Sequence, residues 1–396
     1  MLFLLALLAF SGPPQPASLL REGLIALEHG QLSEARKDLE QARAADPKNA
    51  YISSSLAEVY LRMREPKLAR QAAETAERQG GGTDPILAHA LAMFYSEAGD
   101  SAHAAKLEAT YAQSSRADRN ALSRVASFYL EAGDAAAAVT FARQASERQP
   151  SAANQDLLGR ALEAEGKPAE AAPYLEAAWQ ADKTDSRIAF DWAQLLFRKP
   201  DFQAGAAVLE PALRAHPRDP QLVLAMGVAR YGERRFDDAI AAFLDVIGID
   251  QTIPQPYLFL GKMLEQAGPK LAEITADDEK WATANPNNAK AQYSLAVALM
   301  TADPTSARAA SLLQKSIALD PHDWQPYYQW GVVLEREHKY AEAETEFHHA
   351  IQLDPNQPMP HYHLARVYDR LGKSDQAAAE REIHRKLMAP AGGGMQ

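Results

Sequence analysis

Prolines recur in this chain of 396 residues at a period of about 34 residues. The six prolines are Pro47, Pro150, Pro217, Pro286, Pro321 and Pro355. The successive intervals between them are close to three, two, two, one and one of these periods. A unit of this length holds two helices of about 14 residues and two short turns, too small a hairpin to bury its own apolar face. The period therefore predicts helical hairpins stacked into a continuous array.

Small residues recur at two places in this register, where the two helices of a hairpin are expected to cross. The first place holds Gly23, Ala57, Ala92, Ala126, Gly159, Ala193, Gly227, Gly261, Ala296, Gly331 and Ala365. The second holds Ala35, Ala69, Ala104, Ala138, Ala171, Gly205, Ala239, Ala309, Ala343 and Ala377. Glycine and alanine let two helix backbones approach closely while larger neighbours fill the flanks. Eleven hairpins are predicted, starting near residues 16, 50, 84, 118, 152, 186, 220, 254, 289, 324 and 358.

The tenth hairpin shows the pattern most clearly. It carries Tyr327, Trp330, Gly331 and Leu334 on its first helix, then Tyr340, Ala343, Phe347 and Ala350 on its second, then Pro355. Here the sequence resembles the tetratricopeptide repeat family, and the resemblance extends over residues 16–389. It implies an all-α fold, a right-handed α-solenoid superhelix of about eleven tetratricopeptide-type repeats, with a concave groove lined by the first helices.

Departures from the pattern suggest how the array is divided. Residues 251–256 contain two prolines that interrupt any helix, so they are predicted to separate an N-terminal array, 16–250, from a C-terminal array, 251–389. The eighth repeat also carries Gly268, Pro269 and Trp281 in place of the usual residues. A charged final helix is expected to cap the second array, with residues 390–396 as a flexible tail.

Residues 1–15 are predicted to be a signal peptide and a short proline-rich spacer. Met1 to Phe10 form an uncharged apolar run that ends in a small-x-small cleavage pattern. No Lys or Arg precedes Leu2, which is atypical, and the alternative is a short apolar cap on the first hairpin. The run is too short to span a membrane, which needs about 20 apolar residues. Export to the bacterial periplasm or the medium is expected, and a cytoplasmic location if the segment does not function.

Composition argues against several function classes. The net charge of −11, with no stripe of Lys and Arg, disfavours nucleic-acid binding. With no cysteine there is no thiolate metal site or cysteine nucleophile. Histidines cluster late in the chain, and Glu344 with His348 and Glu380 with His384 have helical ligand spacing, but such pairs are common on solvated helices. No phosphate loop or nucleophile elbow is visible, so the sequence predicts neither enzymatic activity nor a metal or cofactor.

The position three residues before the first small residue points away from the packed face of each first helix. In the family that this sequence resembles, that face lines the concave groove. Reading it along the chain gives Leu20, Ser54, His89, Ser123 and Asp156, which are mostly polar, and then Phe190, Leu224, Leu258, Tyr293, Tyr328 and Tyr362, which are apolar or aromatic. One turn later or further along, Gln194, Lys262, Glu335 and Arg366 join them. Tyrosine and arginine are frequent in binding hot spots.

The predicted partner-binding residues are therefore Phe190, Gln194, Leu224, Leu258, Lys262, Tyr293, Tyr328, Glu335, Tyr362 and Arg366. The alternative for the tyrosines is that they stack on each other or on the next repeat to close the superhelix. No repeat has Lys at the ladder position with Asn one turn later, the pattern with which some relatives clamp acidic carboxy-terminal peptides.

The resemblance and the groove together predict a non-catalytic scaffold that binds a partner protein or peptide segment, with possible association with an envelope complex. Two other functions remain open at this point. One is a regulatory or substrate-recruiting subunit of a separately encoded envelope enzyme, such as a glycan synthase or peptidase. The other is an enzyme with an unusual metal site among the late histidines.

Overall fold

The computed structural model describes residues 15–389, and over these residues the chain forms twenty-two α-helices and no β-strand. The predicted signal segment and the predicted tail therefore lie outside the described residues, apart from Gln15. The helices are α1 (Pro16–Glu28), α2 (Leu32–Ala45), α3 (Ala50–Arg62), α4 (Pro66–Ala76), α5 (Pro85–Glu97), α6 (Ser101–Ala112), α7 (Ala121–Glu131), α8 (Ala135–Arg148), α9 (Ala152–Ala164), α10 (Pro168–Ala181), α11 (Ser186–Arg198), α12 (Phe202–Ala215), α13 (Pro220–Gly232), α14 (Phe236–Ile249), α15 (Gln255–Leu260), α16 (Leu271–Ala284), α17 (Ala289–Ala302), α18 (Ala307–Leu319), α19 (Trp324–Arg336), α20 (Tyr340–Leu353), α21 (Pro358–Arg370) and α22 (Ser374–Met388).

The odd-numbered helices are the first helices of eleven hairpins, and the all-helical repeat architecture is confirmed. Ten of them begin within one residue of the predicted start, and α7 begins three residues late because Asp118 and Asn120 form a turn before it. The eighth hairpin is the irregular one. Its first helix, α15, has only six residues and is followed by two 3₁₀ turns, Leu264–Gln266 and Gly268–Lys270. Gly268 and Pro269, which replace the usual pattern here, begin the second of these turns, where neither favours a continued α-helix.

Contacts divide the chain into two compact units, Met1–Leu195 and Leu196–Gln396. The division lies within α11, whereas the predicted hinge is the proline segment that precedes α15. Each unit contains its own packed core. In the first, an apolar cluster extends from Leu19 to Phe128. In the second, separate clusters form around Phe243, around Leu313 and around Phe347.

Close helix approach at the small residues is visible atom by atom. A Cβ added to Gly331 would lie 2.7 Å from Cε1 of Phe347, and one added to Gly227 would lie 2.7 Å from Cε1 of Phe243. The same relation holds in the first unit, where a Cβ on Gly159 would lie 2.5 Å from Cγ of Leu175. In each case the large residue follows sixteen positions after the glycine. Where that later residue is alanine, the first place holds alanine instead, as at residues 57 and 73 or 126 and 142.

The turns after the first helices require a left-handed residue. Glycine supplies it in five hairpins, with φ of 73° to 81°, at Gly30, Gly99, Gly133, Gly166 and Gly372. Arg64, Arg234 and His338 occupy the same place with φ of 60° to 62°, a conformation that costs a residue with a side chain about 1–2 kcal/mol. A left-handed residue thus follows eight of the first helices in the part of the chain that the structure describes.

Candidate partner-binding groove

Two of the ten predicted groove residues, Phe190 and Gln194, lie in the first unit. Both are on α11, where Phe190 is partly buried and Gln194 is exposed. The residues beside Phe190 form a charged cluster. Asp191, the next residue, pairs with Arg160 at 3.5 Å, and the fully buried Asp156 pairs with the guanidinium of Arg187.

Burial, followed by the charge of the neighbouring Asp191, raises the pKa of Asp156 to about 7. Burial also raises the pKa of Asp191. Both shifts follow from removing carboxylates from water, which disfavours their charged forms. The ladder position that the sequence shows as polar at Asp156 is a closed contact between α9 and α11 rather than an open binding surface.

In the second unit, Lys262 and Tyr328 line one open cavity of about 700 Å³. We call it the tyrosine cavity. Val297, Met300 and Val332 supply apolar walls, and Gln329 supplies an amide. The Lys262 ammonium lies 5.6 Å from the centre of the Phe259 ring, and its side chain is exposed. The cavity therefore offers apolar surface together with hydrogen-bond donors, which suits a peptide segment.

Three predicted ladder residues of the second unit contribute mainly to packing. Leu224 and Leu258 are partly buried against the cluster around Phe243. Tyr293 packs with Leu299 and Trp330, and burial raises the pKa of its phenol. These three side chains pack mainly against the apolar clusters and expose little surface to a partner.

Tyr328 and Tyr362 differ in exposure. Tyr328 is partly buried, with its ring 5.6 Å from the ring of His363 in the next hairpin and 6.2 Å from that of Phe347. Tyr362 is 41% exposed, with the Arg366 guanidinium 5.7 Å from its ring centre. Within residues 15–389, the rings of Tyr328 and Tyr362 thus lie against His363, Phe347 and Arg366. Tyr328 both touches the next repeat and lines the cavity, so the two readings of the ladder are compatible for this residue.

Glu335 and Arg366 are brought together in a second open cavity of about 240 Å³, which also contains Arg336, His363 and Arg370. We call it the arginine cavity. The Glu335 carboxylate is only 8% exposed as a residue, accepts a hydrogen bond from Nδ1 of His363 at 2.7 Å and pairs with Arg366 at 3.1 Å. The two cavities adjoin, because Val332, Arg336 and His363 line both.

Two segments of the chain match tetratricopeptide repeat profiles, at residues 26–94 and 190–252. These segments follow the helical hairpins and the small-residue register described above. By this match both segments are tetratricopeptide repeats, and the other helical hairpins of residues 15–389 continue the same pattern. The fold of such repeats supports a role as a protein-interaction scaffold.

Solved structures with similar repeats include the Cut9–Hcn1 hetero-tetramer of the APC/C, with a TM-score of 0.47 and 12% identity over 95% of this chain and 94% of that one. Yeast Tom70 has a TM-score of 0.46 and 13% identity over 95% and 92%. A tetratricopeptide repeat protein from Parabacteroides merdae has a TM-score of 0.48 and 15% identity over 63% of this chain and 98% of that one. Similarities of this size carry no information on partners. No curated protein gives a significant match.

Sequence reasoning missed two residues of the repeat groove, Arg336 and His363. Arg336 directly follows Glu335 at the end of α19, and His363 directly follows Tyr362 on α21, so both were next to predicted residues. The sequence holds no signal that Glu335 is committed to His363 and Arg366, because the pairing depends on side chains from successive first helices. Only the structure shows that Arg366 is paired with Glu335 whereas Arg336 and Arg370 are not.

The first three tetratricopeptide repeats also differ from the polar surface that the ladder position suggests. A cavity of about 380 Å³ there is lined by Leu24, Tyr51, Ile86 and Met93, which are 38% to 44% exposed, beside Ser54. These apolar residues lie six positions before or one position after the first small residue, and the ladder reading did not sample those positions. A reading at three positions per repeat would have found them.

The two histidine–glutamate pairs with ligand spacing are separated by other contacts. Glu344 binds the Lys373 ammonium at 2.6 Å, while Nε2 of His348 lies 2.9 Å from the hydroxyl of Tyr368. Nδ1 of His384 lies 3.0 Å from the carbonyl of Pro358. Residues 15–389 contain no group of three or more acidic or histidine side chains placed to hold a metal ion. No helix in that range is long and apolar enough to cross a membrane.

Proposed function

We propose that this chain is a non-catalytic scaffold that holds a segment of a partner protein in the groove of its second unit. The observation that carries the proposal is the tyrosine cavity, which joins apolar walls and a tyrosine ring on α17 and α19 to an exposed ammonium that follows α15. A segment of a few residues can bury apolar side chains against Val297 and Val332 while its polar groups reach Lys262 and Gln329. Aromatic and cationic side chains of this kind supply much of the binding energy in protein interfaces.

Photo-crosslinking tests this proposal in the native host. Tyr328 is replaced by a photoreactive phenylalanine analogue, and the adducts are identified by mass spectrometry. Tyr327 gives a matched control, because it is the preceding residue on α19 and its ring lies instead 5.3 Å from that of His349. We expect one dominant adduct from position 328 that is absent from position 327 and is lost when Arg366→Ala is added. Equal labelling from both positions, or none from 328, would contradict a partner in this groove.

The proposal includes export from the cytoplasm. It rests on the apolar run from Met1 to Phe10 and its small-residue cleavage pattern, which lie outside the described residues. The mature amino terminus decides the point when it is sequenced from fractionated cells. Cleavage after Ser11 in the exported fraction supports the proposal, and an intact Met1 on soluble cytoplasmic protein rejects it. Should the crosslinked partner be a catalytic chain of the envelope that co-purifies stably, the scaffold is a subunit of that enzyme.

A further inference from the structure

The arginine cavity carries positive charge that the rest of the described chain leaves unpaired. Neither Arg336 nor Arg370 makes a hydrogen bond or ion pair with any residue in 15–389, and both side chains are exposed. Arg366 is the exception, since it pairs with Glu335 at 3.1 Å. Glu335 also accepts a hydrogen bond from His363, so its two oxygens are already engaged. It makes no ion pair with either of the other two arginines.

This local charge contrasts with that of the whole molecule. The chain has a net charge of −11, yet the two adjoining cavities contain Lys262, Arg336, Arg366 and Arg370 against the carboxylates of Glu265 and Glu335. A local cationic groove attracts acidic partners even when the protein as a whole is acidic. Guanidinium groups without an internal partner can each bind a carboxylate in a bidentate manner.

The spacing of the cations favours an extended segment. Arg366 and Arg370 are one helical turn apart on α21, a rise of about 6 Å. Alternate side chains of an extended strand lie about 6.6 Å apart and point to the same side. Two acidic residues separated by one residue would thus present their carboxylates at the interval of these two arginines, and Arg336 would meet a third from the preceding hairpin.

We propose that the segment bound in the second unit is extended and acidic, with alternate Asp or Glu side chains bound by Arg370 and by the donors of Arg366 that Glu335 leaves free, and a third bound by Arg336. This inference rests on the proposed function and specifies the chemistry of the partner. The carboxylates that these arginines bind belong to side chains within the partner segment and not to a carboxy terminus. Arg336 and Arg370 lie five positions, and Arg366 one position, after the first small residue, so they are not the Lys and Asn clamp that this sequence lacks. A nucleic acid is the competing ligand, but it needs a longer run of cations than these two cavities provide.

Selection from a displayed library of random peptides of about twelve residues tests the inference with the full chain. Affinities of the enriched peptides are then measured by fluorescence anisotropy at two salt concentrations. The test variant is Arg336→Gln with Arg370→Gln. The matched control is Arg218→Gln with Lys315→Gln, which removes the same charge from exposed residues of the second unit that line neither cavity. A single-stranded RNA of similar length serves as the competing probe.

We expect the enriched peptides to carry Asp or Glu at alternate positions and to bind about tenfold more weakly, or worse, to the test variant, with the control unchanged. Binding should also weaken as salt is raised. Enriched peptides that are neutral, or that bind the test variant as tightly as the wild type, overturn the acidic inference and leave the proposed function standing. The inference is equally overturned if RNA binds more tightly than any peptide. Failure to enrich any peptide that crosslinks at position 328 rejects both proposals.

Discussion

The substitution Gly331→Ala measures how closely the two helices of a tetratricopeptide hairpin approach. The added Cβ would lie 2.7, 2.8 and 3.0 Å from three ring carbons of Phe347, where ordinary contact begins near 3.4 Å. Phe347 is fully buried, and its ring stacks 5.6 Å from that of His363, so it has little room to move. Overpacking of this kind costs about 1–3 kcal/mol, against a gain of up to about 1 kcal/mol in helix propensity.

Gly248→Ala is the control for this experiment. Gly248 is a helical glycine of the same unit, in α14, and a Cβ added there has nothing within 4 Å. The propensity gain is similar in both variants, so the difference between their free energies of unfolding isolates the packing cost. We expect Gly331→Ala to be less stable than Gly248→Ala by about 1–3 kcal/mol, and its midpoint to be lower by about 2–4 °C for each kcal/mol. Circular dichroism at 222 nm, with thermal and urea melts, gives both values. A midpoint for Gly331→Ala equal to or above that of Gly248→Ala would refute the close approach.

Three further results are expected from substitutions in the second unit. Arg234→Gly should raise the free energy of unfolding by about 1 kcal/mol, because the residue has a φ of 62°, and an unchanged urea midpoint would argue against this conformation. Burial raises the pKa of Asp278 to about 7, so the folded state retains a proton that the unfolded state loses near pH 4, and wild-type stability should fall as the pH rises from 4 to 7. Asp278→Asn can still accept the hydrogen bond from Ser294. Its free energy of unfolding should match that of the wild type near pH 4 and exceed it by a few kcal/mol at pH 8, at about 1.4 kcal/mol per pKa unit. Parallel pH profiles of the two proteins would reject the buried protonated carboxyl. Tyr293→Ala should destabilise the chain by about 2 kcal/mol or more, whereas Tyr362→Ala should change stability by less than about 1 kcal/mol and weaken partner binding. The reverse order in thermal melts and in anisotropy would contradict the exposures of the two side chains.

The register of the repeats could be predicted from the sequence because close helix packing restricts certain positions to small residues. In four hairpins a glycine stands where a Cβ would meet Leu or Phe from the second helix, at Gly23, Gly159, Gly227 and Gly331. The starts of the helices follow from the same register. It could not give the early end of α15 residue by residue, because glycine and proline in that segment disfavour continued helix without specifying which turn replaces it.

Groove residues are harder to predict, since exposure depends on what neighbouring hairpins contribute. Tyr293 and Tyr362 occupy the same position of their repeats, yet the first is packed against Leu299 and Trp330 and the second is 41% exposed. The position in the repeat fixes where a residue lies on the first helix. It does not decide whether its side chain binds a partner or packs in the core. Charge follows the same rule, because Arg336 and Arg366 differ only in whether a buried glutamate is within reach.

Core and groove meet at Phe347 in the tenth repeat, and this contact explains why a substitution in one affects the other. Its ring packs against the backbone of Gly331 on one side and lies near the rings of Tyr328 and His363 on the other. His363 in turn donates to Glu335, which holds Arg366. A displacement of the ring by a few tenths of an ångström would therefore be passed to residues of both cavities, because a close-packed interior transmits strain. The small residue that lets two helices approach thus also fixes where the side chains proposed to bind a partner are held.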